Sequence, residues 1–183
     1  MKRIVAILYC AGAVFPSLAA APNLSSYAGQ ESREIKALSP EEVNGISAGK
    51  GMGLAKTAEL NGYPGPAHVL ELSSELKLSE QQRRQTEVLF RSMQRDAVDV
   101  GNALLAEERT LDQAFAVRTI TPQSLQTTLA RIGQLQSRLR VVHLEAHLEQ
   151  DRILTPQQNA EYARLRGYDA QGANAEHTHQ HLK

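Results

Sequence analysis

Tryptophan is absent from this chain, and the other aromatics are few: five tyrosines and three phenylalanines in 183 residues. A core must therefore be built mainly from aliphatic side chains, which suits helix-on-helix packing. There is one cysteine, Cys10. A lone thiol excludes a disulfide framework and a thiolate metal cluster. Any metal site would have to draw on His, Met or carboxylate donors. Neither sign of charge dominates, with 20 basic and 20 acidic residues. That balance argues against a general nucleic-acid binder. No nucleophile, base and acid set is readable, and no Gly-rich phosphate loop follows a strand-like run.

The long apolar run that the chain does contain lies at its start. Lys2 and Arg3 precede an apolar stretch from Ile4 to Leu18, and Ser17, Ala19 and Ala21 offer small residues for a signal peptidase. The expectation is a signal peptide over residues 1–20, cleaved near 19–21, and a periplasmic product. The run is too short for a comfortable membrane span, so a retained anchor is the competing reading. Tyr9 before Cys10 is not the small residue that a lipoprotein site requires. Cleavage would leave a chain without cysteine and with 18 basic against 20 acidic residues.

Residues 21–38 read as a flexible polar segment, 39–168 as a helical domain, and 169–183 as a disordered tail. Ser39-Pro40-Glu41-Glu42 is a helix-start signal. Asn61 to Pro66 carries two prolines and two glycines and breaks any helix. The following helix would carry Val69, Leu70, Leu72 and Leu76. From Glu80 to Val117 there is no proline, and Leu89, Met93, Ala97, Val100, Leu104, Leu111 and Phe115 recur at helical spacing. Gly101 is the weak point of that helix, at about 1 kcal/mol against alanine. Thr121-Pro122 starts a second long helix with Leu125, Leu129, Ile132, Leu139, Val142 and Ala146 on one face. The fold class is all-α: a long antiparallel hairpin with short flanking helices. One hairpin leaves part of its apolar seam uncovered, which predicts a homodimer.

The pattern Leu-Ser/Thr-x-x-Gln occurs twice, as Leu78-Ser79-Glu80-Gln81-Gln82 and Leu154-Thr155-Pro156-Gln157-Gln158. Ser79 and Thr155 are N-caps, Gln82 and Gln158 sit at the third helical position, and together they make two capping boxes. Leu78 and Leu154 are placed as hydrophobic staples.

Candidate chemistry centres on His143-Leu144-Glu145-Ala146-His147. Histidines four apart share a helix face and can chelate one ion; the competing reading is two polar residues beside the seam. Glu145 points about 200° away from both, which is wrong for a base acting on metal-bound water and excludes a metalloprotease. His177, His179 and His181 alternate near the C-terminus, where such a tract either holds Ni, Cu or Zn loosely or is simply soluble. His68 is either an N-terminal ligand or a surface histidine, and Met52 either a soft ligand or a packing residue. Arg83, Arg84, Arg91 and Arg95 on the first long helix, with Arg131, Arg138 and Arg140 on the second, offer two readings. They form either a basic amphipathic surface for unfolded clients, for which Arg84, Arg91, Arg95, Arg131 and Arg138 are the candidates, or a solvated face with ordinary ion pairs.

The leader, the cysteine-free hairpin and the two boxes together resemble the Spy/CpxP family of periplasmic LTxxQ-motif proteins. The stretches Gly51 to Leu72 and His143 to Tyr168 are similar to its heavy-metal-resistance branch, which includes ZraP-like and CnrX-like proteins. The first box has serine where threonine is more typical. The resemblance implies a cradle-shaped dimer that is not an enzyme. It further implies a role in envelope stress as an ATP-independent chaperone, a signalling inhibitor or a metal sensor. It favours a divalent transition metal (Zn, Ni, Co or Cu) at His143 and His147, and no organic cofactor. Partners would be unfolded proteins or an inner-membrane sensor protein. The chain departs from the CnrX-like pattern: it has no His-x-x-x-His pair near its N-terminal helix and no His-x-x-x-Met pair in its last long helix. His68 is then the N-terminal histidine left to complete a site.

Overall fold

The structure is a computed structural model that describes residues 25–168. The expected signal peptide and the tail with His177, His179 and His181 lie outside the described residues. Residues 25–31 form a short unit of turns, in which the Gln30 N–H donates to the Tyr27 carbonyl. The remainder is one helical unit beginning at Ser32.

Among the described residues the chain is all-α, with six helices. They are α1 (Pro40–Ser47), α2 (Lys56–Glu59), α3 (Pro66–Glu71), α4 (Glu80–Ala116), α5 (Pro122–Ile153) and α6 (Pro156–Leu165). None is long and apolar enough to cross a membrane. The long helices α4 and α5 pack against each other as a hairpin. α1 and α3 lie on α4, and α2 lies on α5. The packed unit starts before Ser39, because Ile35 is buried and Lys36 reaches Asp112 of α4 at 2.8 Å.

Helix starts follow the capping chemistry. Side chain and backbone bond reciprocally at Ser39/Glu42, Ser79/Gln82, Thr121/Ser124 and Thr155/Gln158, and proline occupies the first turn of α1, α3, α5 and α6. α6 stops at Gly167, whose φ of 74° is the left-handed value a helix end favours. The third helix is shorter than its apolar pattern suggests. It ends at Glu71, and Leu72 and Leu76 sit in the turns that follow.

The apolar core falls into two clusters. One gathers Ala97, Leu104, Ile132 and Leu139 along the hairpin, with Ile46 and Leu54 packed on it. The other joins Val69, Leu76, Leu154 and Tyr162 at the end where α4 starts and α5 finishes. The expected seam does not run the whole length: Phe115 and Leu129, near the hairpin's turn, are 54% and 48% exposed. No short helix reaches that far, because α1 docks further back, at Gly101. A Cβ there would stand 2.6 Å from the Ile46 carbonyl oxygen, so the weak point of α4 is the point of close approach of α1.

The two Leu-Ser/Thr-x-x-Gln boxes meet in space. Gln82 closes its own box by accepting from the Ser79 N–H at 3.0 Å. Its amide nitrogen donates to the Ile153 carbonyl at 3.0 Å and to Gln158 Oε1 at 2.8 Å. Gln158 reciprocates, accepting from the Thr155 N–H at 2.9 Å and donating to the Leu76 carbonyl and to Gln82 Oε1, each at 3.1 Å. Each glutamine thus caps its own helix and ties it to the other. Leu78 and Leu154 pack in the cluster beneath.

Candidate metal centre

Between Leu139 and Leu154, the inward face of α5 turns polar. His143, His147 and Gln150 are buried there, at 3%, 9% and 0% exposure. Gln150 reaches across to Thr86 of α4, donating to its hydroxyl at 3.2 Å. The two histidines line a cavity of about 490 Å³. Its other walls come from the loop between α1 and α2, the start of α3, and Phe90, Met93 and Gln94 of α4. His68 lines it too, so three sequence-predicted histidines share one cavity. His68 is partly exposed and bonds Glu71 through Nδ1 at 2.9 Å. Glu145 is exposed on the outer side of α5.

The imidazole of His147 has a defined tautomer. Its Nδ1 lies 2.8 Å from the Tyr63 carbonyl oxygen, which can only accept, so Nδ1 carries the proton. In the neutral ring the lone pair then sits on Nε2. A histidine that donates one ring N–H to a backbone carbonyl and keeps the other nitrogen free has the orientation typical of a metal ligand. Space beside Nε2 exists because residue 65 is glycine: a Cβ there would stand 3.0 Å from Nε2 and 2.9 Å from Cε1. His143 supplies the second donor. Its Nε2 is buried without a hydrogen-bond partner. Burial, and secondarily the neighbouring His147, hold its pKa below the ordinary histidine value. The imidazole is therefore neutral at neutral pH, the form that binds metals.

Behind His147 lies Glu59 of α2, the one carboxylate among the described residues that line the cavity. Its Oε1 accepts from the hydroxyls of Tyr162 at 2.5 Å and Tyr168 at 3.0 Å, and Arg166 stands 3.5 Å away. Its Oε2 is buried without a hydrogen-bond partner, 3.7 Å from His147 Nδ1. Burial, then the bond to Glu59, push the Tyr162 hydroxyl pKa well up, so Tyr162 remains a donor. Among the described residues, no three His, Cys, Asp or Glu side chains stand together in a metal-holding arrangement. What is present is an imidazole pair with a carboxylate behind it.

Sequence reading missed Glu59, Tyr63, Gly65, Arg166 and Tyr168 as parts of this site. Glu59 and Tyr168 are 109 positions apart, and no local pattern connects them. The Pro64-Gly65-Pro66 turn was the available signal, since it fixes where the Tyr63 carbonyl points.

The five arginines proposed for client binding lie on the two long helices, Arg84, Arg91 and Arg95 on α4 and Arg131 and Arg138 on α5. Arg84, Arg131 and Arg138 line shallow grooves on the hairpin. Arg84 pairs with Glu80 at 3.6 Å, Arg131 with Glu107 at 3.7 Å and Arg91 with Glu87 at 3.9 Å, while Arg95 donates to Ser92 at 3.3 Å. No family model, curated protein or solved structure matches the chain.

Proposed function

We propose that this chain is an exported, non-enzymatic stress protein that binds a transition-metal ion between His143 and His147 and holds unfolded clients on its hairpin. The carrying observation is the pre-set tautomer of His147, with Gly65 leaving room at Nε2 and the unpartnered His143 Nε2 in the same cavity. An ion bound there would be held by two imidazoles, with the Tyr63 carbonyl orienting that of His147. Client binding draws on apolar residues left in the open. Val88, which is 61% exposed, lines one groove with Arg84, and Val141 lines another with Arg138. In this reading the protein acts in the periplasm as a homodimer.

A second reading is a dedicated metal sensor or buffer that signals to an inner-membrane partner without holding clients. The cavity wall favours it, because the same loop reaches the surface, where Met52 is 49% exposed. Calorimetry with Zn, Ni, Co and Cu ions should give binding that the His143→Ala/His147→Ala double variant loses. Equal binding by the two proteins would sink the metal reading. An aggregation assay separates the two roles: suppression of client aggregation at equimolar protein supports the chaperone, and unchanged aggregation leaves the sensor.

A further inference from the structure

Among the described residues the sulfur atoms are gathered at one cavity. Apart from the initiator, the chain has two methionines, Met52 and Met93, and both line the cavity that holds His143 and His147. They come from unrelated elements, the loop after α1 and the middle of α4. Met52 also carries a backbone cost. It adopts φ of 45°, the left-handed region, between Gly51 and Gly53. A left-handed backbone is disfavoured for any residue with a Cβ, and such outliers cluster where a side chain must be aimed. Gly45 of α1 leaves the notch for that side chain, since a Cβ there would stand 2.2 Å from the Met52 sulfur.

The charges around the cavity narrow the choice of ion. Lys50 and Lys56 line it, and the one lining carboxylate, Glu59, already faces Arg166 and two tyrosine hydroxyls. A dication would meet twice the repulsion from the lysines that a monocation meets. Thioethers are soft, uncharged donors that suit a soft monovalent ion, and imidazole accommodates the same ion as a borderline donor. Hard oxygen-seeking ions, which need several oxygens, find a single lining carboxylate whose Oε1 is engaged and whose Oε2 alone is open.

We propose that the ion bound in this cavity is cuprous copper, held by the imidazoles of His143 and His147 together with the thioethers of Met52 and Met93. This rests on the reading of the histidine pair as a metal site and adds the two sulfur donors and the oxidation state.

The test uses the full chain with His177→Ala, His179→Ala and His181→Ala as the parent, so that tail histidines do not contribute. Copper kept reduced by ascorbate under anaerobic conditions is competed against a chromophoric cuprous chelator, and Zn binding is measured separately by calorimetry. The expected result is one cuprous ion per chain. Met52→Leu/Met93→Leu should weaken cuprous binding at least tenfold while Zn affinity stays within about twofold. His143→Ala/His147→Ala should abolish both. X-ray absorption of the copper-loaded parent should show sulfur as well as nitrogen scatterers, a readout that does not depend on any variant folding. Divalent binding through the histidines with no cuprous binding would overturn this inference and leave the metal-site reading standing. Cuprous binding with only nitrogen scatterers would overturn the sulfur donors. No binding of any of these ions would overturn both readings.

Discussion

His143 stands where its charged form is disfavoured, and the consequence is a pH dependence with a definite sign. Its folded pKa lies below the unfolded one. The unfolded chain therefore takes up a proton that the folded chain refuses, starting at about pH 6.5. The stability associated with neutral His143 is complete above that pH and is lost as pH falls toward the folded value. Urea melts between pH 8 and 5 should show this decline, and His143→Ala should flatten it. Metal affinity should fall over the same range, because protons compete for the same lone pair. Gly65 offers a sharper probe. Its φ of −87° and ψ of 140° are open to any residue, so alanine is tolerated by the backbone. The added Cβ would press on the His147 ring. Gly65→Ala should lower metal affinity about 10–100-fold, the range seen when ligand orientation is disturbed. Isothermal titration of folded variant and parent checks this.

At the scale of elements, the reciprocal glutamines carry a claim of their own. Gln82→Ala removes a cap bond and three bonds to the α5–α6 junction. The expected cost is about 1–3 kcal/mol, because the partners stay partly buried. Gln158→Ala should cost a similar amount. Since the two share bonds, the double variant should cost less than the two single changes together, with a coupling of about 0.5–3 kcal/mol. Additive effects in chemical denaturation would show that the boxes act separately. Gly101 makes a second case. Helix propensity alone predicts that alanine there stabilises by about 1 kcal/mol. The approach of Ile46 reverses the sign. A new Cβ against backbone displaces α1, so Gly101→Ala should destabilise by about 1–3 kcal/mol, the usual cost of overpacking.

Across the whole molecule, local chemistry made some features legible and not others. The caps at Ser39, Ser79, Thr121 and Thr155 and the limits of the long helices follow from short sequence patterns, and they stand in the structure. The fate of Phe115 and Leu129 does not, because their exposure depends on how far the short helices reach. The candidate site was half legible. Spacing put His143 and His147 on one face, but their cavity is completed by Glu59, Tyr63 and Gly65, brought in by the turn around Pro64. The open grooves of the hairpin invite a test at this scale. Val88→Asp should weaken client capture in an aggregation assay by several-fold and leave metal binding unchanged, since Val88 does not line the metal cavity.

The polar stretch of α5 divides the apolar core into two clusters, and His143, His147, Gln150 and Thr86 lie along the division. A packed interior transmits strain, whereas a polar interruption lets its two sides open independently. The expectation is that the hairpin opens as two cooperative blocks with a joint at the histidines. An ion bound at the joint would act as a rivet, so hydrogen exchange should slow on both sides when it binds. Around Leu104 and around Tyr162, amides that open separately in the free protein should then open together.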